Sequence, residues 1–425
     1  MTLHAVKQNI IEYGKKFADI GFSLGDSPRI LVQQNHRVFG TEPGADFTDL
    51  QVKEICDITG TSDSAKGALI ASPYEAMVVA KTEYTAMCIR DGLSIPAVLD
   101  DMAMIIGSRV SIVPEDRLSL AKALRKSPAV LTTEGNLMVC GRNLYEVFTG
   151  LLILEKNAGI FVDADFLGGA HPVCPLMGKL EHKIYLKKYS RKEMERQDRL
   201  EQQAPAEIPE EILQDAASDY AEMDLPEKDR SPEEQMCREQ VVEYGIRLLD
   251  SGLVQGTWGN LSLRLDDEWM LCTPSGMDYR GLTPEDIVKV NLETLAYEGA
   301  LKPTSEKDFH AGIYRNRPDV NAVIHTHARY ACVYAACGLS FTTSSGDAIE
   351  CAAYGPSGTG LLSRNVQNAI GENRGCLMKN HGMVAVGSGR GLPHGHEHRK
   401  CRQSTHRTIL GRIAKSGQNM NISQQ

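Results

Sequence analysis

No stretch of the 425-residue sequence approaches the roughly 18 consecutive apolar residues that a membrane-spanning helix needs, so none is predicted. CxxC spacing is absent among the eleven cysteines. An odd number of cysteines in a chain this long excludes a disulfide framework and predicts reduced, mostly buried thiols. Basic tracts are missing from the body of the chain, whose formal net charge is −9; this argues against nucleic acid and anionic membranes as partners. The opening residues, MTLHAVKQNIIEYGKKF, lack the basic, apolar and small-residue order of a signal peptide, so the expected compartment is the cytoplasm. Small anionic substrates stay open, because local amides or a metal bind them whatever the global charge.

What is present suits a soluble chain of two domains: 42% hydrophobic and 24% charged residues over a length that is generous for one core. From about 187 to 234 the sequence is dense in charge, carries four prolines and has few large apolar residues, which predicts a partly helical linker. The blocks on either side, 1–186 and 235–425, resemble each other. IIEYGKKFADIGFSLG matches VVEYGIRLLDSGLVQG, with Glu12, Tyr13 and Gly14 on Glu243, Tyr244 and Gly245. ALIASPYEAMVVA is set against AVIHTHARYACVYA, each read as an apolar strand, a turn and a helix near a shared tyrosine, Tyr74 or Tyr330. NLMVCGRN parallels GMVAVGSG. The interval between the first two matches is longer in the second half, so the first copy is expected to lack most of the segment GALKPTSEKDFHAGIYRNRPDV. Short strands alternate with helices in both, which predicts two tandem three-layer α/β/α domains on mixed sheets.

Only the second copy carries ionisable groups at its motifs. In VIHTHARY, His325 and His327 stand two apart at the end of a β-branched strand, so the period of two directs both imidazoles to one face. An HxH alone leaves metal chelation and hydrogen-bonded core packing both open. A third histidine, His381 in MKNHGMVAVG, adjoins another short strand and precedes a glycine that permits close backbone approach. Three histidines would leave a divalent ion with open positions, as a catalytic site requires.

Glu306 lies in KPTSEKDFH, where Pro303 and Thr304 favour a turn and Ser305 an N-cap, with His310 one turn further on. Its plain reading is a first-turn glutamate favoured by the helix dipole. The first copy, however, is expected to lack acid and histidines together: Leu69 and Ala71 fall at the HxH positions and Gly135 at that of His381. Two more pieces read as an anion cradle or as ordinary hairpin turns. GTWGNLSLR places Gly259, Asn260 and Ser262, and CTPSGMDYRGL places Thr273, Ser275 and Gly276, where amides and hydroxyls suit phosphate or carboxylate oxygens.

The pieces GNLS, TPSG, PTSE, RPDVNAVIHTHA and NHG stand in the order in which they occur in the class II aldolase/adducin family, which the second half resembles over roughly 150 residues. The family's enzymes include fuculose-phosphate and rhamnulose-phosphate aldolases and ribulose-phosphate 4-epimerase. The resemblance implies Zn2+, or another divalent ion such as Mn2+ or Co2+, on His325, His327 and His381, with Glu306 as acid/base and metal neighbour. It sets Asn260, Ser262, Thr273, Ser275, Gly276, Thr304 and Ser305 on the phosphate side of the site. The implied reaction is cleavage or formation of a C–C bond in a small hydroxy-ketone, a sugar phosphate, with the cation stabilising the enediolate and Glu306, its pKa raised by burial, moving the proton.

The family's epimerases generally carry aspartate at the acid position, so glutamate favours the aldolase. Epimerase or dehydratase chemistry on the same site, and a non-catalytic adducin-like scaffold, are the alternatives. The first half resembles a degenerate copy without metal ligands, its NLMVCGRNLYEVFTGLLILEKNAG matching the family's closing strand and long helix. Family enzymes are commonly fourfold rings, so two tandem chains are expected to build a pseudo-fourfold homo-oligomer. After Gly387 the family's long helix gives way to SGRGLPHGHEHRKCRQSTHRTILGRIAKSGQ, an atypical tail from about 388 that reads as a segment out of register; its HGHEH reads as a solvated cluster rather than a second metal site.

Overall fold

A computed structural model describes residues 2–185, 224–225, 230–254, 258–299 and 301–387. Most of the expected linker, and the whole tail with its HGHEH cluster, lie outside the described residues. The chain divides into two compact units, Met1–Leu200 and Glu201–Gln425.

In the first unit, helix α1 (Leu3–Ala18) starts at Thr2, whose hydroxyl accepts from the amide of Ala5, the usual service of an N-cap threonine to an orphan donor. There follow β1 (Arg29–Gln34), β2 (Arg37–Thr41), β3 (Ile55–Asp57), α2 (Ser64–Ile70), β4 (Ala76–Ala80), α3 (Glu83–Arg90), β5 (Ile95–Pro96), α4 (Asp100–Ile105), β6 (Arg109–Val110), β7 (Ile112–Val113), α5 (Arg117–Leu124), β8 (Ala129–Thr132), β9 (Leu137–Gly141), α6 (Leu144–Ala164) and α7 (Pro175–Tyr185). The main sheet has the order β3-β2-β1-β4-β9-β8-β7. Every neighbour is antiparallel except the pair β7 and β8.

The second unit comprises β10 (Asp224–Leu225), α8 (Pro232–Asp250), β11 (Asn260–Arg264), β12 (Trp269–Cys272), β13 (Val288–Asn291), β14 (Tyr297–Glu298), α9 (Lys307–Asn316), β15 (Ala322–Thr326), α10 (Arg329–Cys337), β16 (Phe341–Thr342), β17 (Ala348–Ala352), α11 (Gly360–Ile370), β18 (Gly375–Met378) and β19 (Gly382–Gly387). Its sheet runs β10-β14-β13-β12-β11-β15-β19-β18-β17-β16. From β13 to β17 the neighbours are antiparallel except β17 and β18. Strand order and direction over these seven positions are thus those of the first unit. Each unit is a mixed α/β structure.

Alternation along the strands separates the second unit's two faces. Leu261, Leu263, Ala322, Ile324 and Ala385 pack with Cys237, Val241 and Leu248 of α8. Val323 and Val384 pack with Phe309, Ile313 and Tyr314 of α9 and with Leu362 and Val366 of α11. The period of two therefore turns Asn260, Ser262 and His325 toward α9. That orientation builds the site.

Three expectations about the first half need correction. Residues 64–70 form helix α2, capped by Asp63, whose side chain accepts from Lys66 N, and are not a strand. A short apolar run such as ALIA does not distinguish a buried strand from a buried helix. The strand equivalent to β15 is β4, where Val79 lies opposite Arg29 as His325 lies opposite Asn260. Val79 and Lys81, rather than Leu69 and Ala71, therefore hold the stations of His325 and His327. Nor is the intervening segment gone: α2 precedes β4 as α9 precedes β15, and Asp63 is its N-cap as Glu306 is that of α9. Gly135 does fall two residues before the strand residue matching Met383 in register, the station of His381.

Candidate active site

The three histidines converge. His325 Nε2 is 2.9 Å from His327 Nε2 and 3.1 Å from His381 Nε2, and these are the ligand-type groups that gather as a set of three among the described residues. His325 and His381 are buried and His327 is half-buried.

The local sequence explains each placement. His325 sits on β15, and its Nδ1 faces the carbonyl oxygen of Met383 at 3.0 Å. A carbonyl only accepts, so Nδ1 carries the proton and the Nε2 lone pair points at the other rings. His381 occupies the three-residue turn between β18 and β19, with its amide on the Met378 carbonyl at 2.9 Å. Asn380 before it takes a left-handed φ of 59°, which asparagine tolerates better than most residues. Gly382 after it is obligatory on space: a Cβ there would lie 2.5 Å from the Thr326 carbonyl oxygen and 3.1 Å from the His325 ring. On the other side Gly259, with φ of 100°, leaves no room for a Cβ against the His325 carbonyl at 2.8 Å.

Glu306 closes the site. Its carboxylate oxygens lie 3.4 Å from His325 Nε2 and 3.2 Å from His381 Nε2, and the residue is 5% exposed. Ser305 was expected as the N-cap, but Glu306 itself takes that position; its amide is held by the Thr304 hydroxyl at 3.3 Å. Burial works to raise the Glu306 carboxyl, as expected from the sequence. His325 and His381 beside it prevail and, with hydrogen bonds from His381 and Asn260, hold it well below the usual carboxylate range. Its oxygens accept from Asn260 Nδ2 and Ser357 Oγ.

This donor set fits a divalent cation. Three imidazole nitrogens and a carboxylate meeting at one point are the ligand types that such an ion takes, the imidazoles giving up any Nε2 proton as it binds.

The residues expected on the anion side divide by exposure. Thr273, Thr304, Asn260 and Ser262 are buried, whereas Ser275, Gly276 and Ser305 are exposed. The TPSG turn and the KPTSE stretch meet through a bridge between Pro274 and Pro303 and a bond from Ser275 N to Lys302 O at 2.9 Å. Thr273 is used internally, accepting from Leu261 N at 3.3 Å. Asn260 Nδ2 donates to Glu306 at 2.8 Å, and Ser262 Oγ bonds to His310 and Tyr314.

Two contributors had no assigned part in the sequence reading. Ser357, in the glycine-rich loop before α11, donates its hydroxyl to Glu306 Oε1 at 3.3 Å. Tyr314 stands two turns beyond Glu306 on the same side of α9, in the spacing E-x3-H-x3-Y that His310 shares.

One cysteine touches this site: the Cys332 thiol donates to the His381 carbonyl oxygen at 3.5 Å. The ten described cysteines are free thiols, and burial pushes Cys237 and Cys272 up to about 12. No described helix is long and apolar enough to cross a membrane.

Comparison with known proteins agrees with this geometry. The sequence model of the class II aldolase and adducin N-terminal domain matches residues 239–390, within the second unit. A 5-deoxy-D-ribulose 1-phosphate aldolase of Bacillus thuringiensis is 37% identical over 155 residues, covering 35% of this chain and 73% of that protein. A 5-methylthioribulose-1-phosphate/5-deoxyribulose-1-phosphate aldolase of Rhodospirillum rubrum is 38% identical over 157 residues, 35% of this chain and 70% of that one. The L-fuculose phosphate aldolase of Escherichia coli is 36% identical over 153 residues, 34% of this chain and 70% of its own length. Relatives at this identity, covered over more than two thirds of their length, place the chain in the class II aldolase and adducin family, as an aldolase-type lyase.

Proposed function

We propose that the second unit is a divalent-metal-dependent aldehyde-lyase that cleaves or forms a C–C bond in a small α-hydroxy ketone carrying a phosphate. The observation that carries this reading is the meeting of three Nε2 atoms, 2.9 and 3.1 Å apart, with a buried carboxylate 3.2 to 3.4 Å away. His325, His327 and His381 would hold the cation, which when bound supplies Lewis acidity toward carbonyl and hydroxyl oxygens.

Glu306 handles the proton. Ionised at neutral pH, it removes a proton from the carbon beside the substrate carbonyl in the condensing direction and returns it to that carbon in cleavage. Asn260 and Ser357 hold the carboxylate in place through Nδ2 at 2.8 Å and Oγ at 3.3 Å. The exposed Ser275, Gly276 and Ser305 would receive the phosphate through hydroxyls and turn amides; Thr273, Thr304, Asn260 and Ser262 support this cradle from beneath. The phosphate is inferred from the substrates that the names of the Bacillus, Rhodospirillum and Escherichia relatives state.

For the first unit we infer a copy of the same fold that has lost the site. Its strand order matches that of the second unit, while Val79, Lys81 and Gly135 replace the histidines. Asp63 at the Glu306 station is neutralised by Arg29 at 2.7 Å, so the unit has neither ligands nor a free carboxylate there.

The test is to incubate the zinc-loaded protein with ketose 1-phosphates, L-fuculose and 5-deoxyribulose 1-phosphates among them, and to measure dihydroxyacetone phosphate and aldehyde. Release of both in equal amounts is expected. Epimerised or dehydrated product without cleavage contradicts the reading.

A further inference from the structure

Behind Glu306 runs a buried chain of side chains that the metal site does not itself require. Asn260 Nδ2 donates to Glu306 Oε2 at 2.8 Å, and Asn260 Oδ1 lies 2.6 Å from His310 Nε2. His310 Nδ1 is 2.7 Å from Ser262 Oγ, which is 2.9 Å from Tyr314 Oη. The Tyr314 hydroxyl also donates to the Ser262 carbonyl at 2.9 Å. His310 and Ser262 are fully buried and Tyr314 is 1% exposed.

The chain arises where two periods cross. Glu306, His310 and Tyr314 recur every four residues and share one side of α9. Asn260 and Ser262 recur every two and share one face of β11.

The polarity of every bond follows from its end. The Asn260 NH2 faces a Glu306 oxygen, which turns the Asn260 oxygen toward His310. That oxygen requires the proton of His310 to sit on Nε2, leaving Nδ1 as an acceptor. Nδ1 in turn takes the Ser262 hydroxyl proton, and the single proton of the Tyr314 hydroxyl goes to the Ser262 carbonyl oxygen. From Ser262 through His310 and Asn260 the donors then point toward Glu306.

We propose that His310 is a positioning residue: as the neutral Nε2–H tautomer it locks the Asn260 amide in one orientation, and the locked amide fixes the Glu306 carboxylate for proton transfer. The catalytic part of this inference rests on the lyase reading; the locked amide does not. Burial agrees with the neutral ring, lowering its pKa to about 3.

The test compares wild-type protein with His310→Leu, which keeps bulk and removes the donor, and His310→Gln, whose amide can donate to Asn260 and accept from Ser262. In 15N-labelled wild-type protein, the ring resonances absent from both variants should report a neutral imidazole protonated at Nε2, and the Asn260 side-chain NH2 should exchange slowly with solvent. The leucine variant should lose the slow exchange and the glutamine variant keep it. In turnover, leucine should lower kcat by about 10–100-fold with KM and metal content nearly unchanged, and glutamine should recover most of it. A protonated Nδ1, an imidazolium at neutral pH, or equal loss of kcat in both variants overturns the proposal. If the wild-type protein cleaves no ketose phosphate while the tautomer and slow exchange hold, the lyase reading fails and the locked amide stands.

Discussion

Arg29 lies 2.7 Å from Asp63 in the first unit at the stations where Asn260 holds Glu306 in the second. Each unit has an acidic residue at the N-cap of this helix, but its partner decides what it does. An amide holds the second carboxylate beside the histidines; a guanidinium pairs with the first, and Arg29 lies opposite Val79. Replacing Arg29 by Ala should therefore cost stability, on the order of 1–2 kcal/mol, and leave metal content and turnover unchanged. Urea unfolding with parallel metal analysis checks this; loss of metal would give the first unit a site of its own.

Glu306→Gln removes the charge while keeping the shape and a hydrogen-bonding end. Turnover should fall by about 10²–10⁴-fold, the usual share of a positioned acid/base, while the cation stays bound by three histidines. Steady-state kinetics on a variant of verified metal content decide it, and unchanged turnover would remove the proton-transfer role.

Gly382→Ala places a methyl group 2.5 Å from the Thr326 carbonyl oxygen. The β19 strand must then move away from β15, carrying His381 from His325. Thermal unfolding should show a loss of about 1–3 kcal/mol, as overpacking usually costs, and zinc affinity should fall with it. A stable variant of normal affinity would mean that the turn tolerates more room than its geometry states.

His310 predicts an acid-labile second unit. Its folded pKa is lowered from 6.5 to about 3, so an unfolded chain takes up a proton in this window and the folded chain does not. The contribution is present above pH 6.5 and lost as the pH falls toward 3, by up to about 1.4 kcal/mol per unit. Denaturant midpoints measured across that range should fall more steeply for the wild type than for His310→Gln; parallel curves would assign the loss to other groups.

How much of this was legible in the sequence depends on the range of each signal. His325 and His327 were readable because a period of two and an apolar strand are local facts, and His381 because a short apolar strand and a glycine adjoin it. Glu306 was found by motif, but the sign of its pKa shift was not, since two imidazoles more than fifteen residues away in sequence outweigh its burial. The ALIA run was misread as a strand because four apolar residues fit either period. His310 and Tyr314 gain their meaning only where α9 crosses β11, and Ser357 reaches Glu306 from a loop beyond the sheet's centre. No window along the chain contains those meetings.

The account rests most directly on the cation, so its sharpest test is zinc binding by stripped, full-length protein. Isothermal titration should give about one equivalent per chain, abolished by His325→Ala or His381→Ala and retained by Glu306→Gln. Less than about half an equivalent that added zinc does not restore, or binding indifferent to the two histidines, would contradict it.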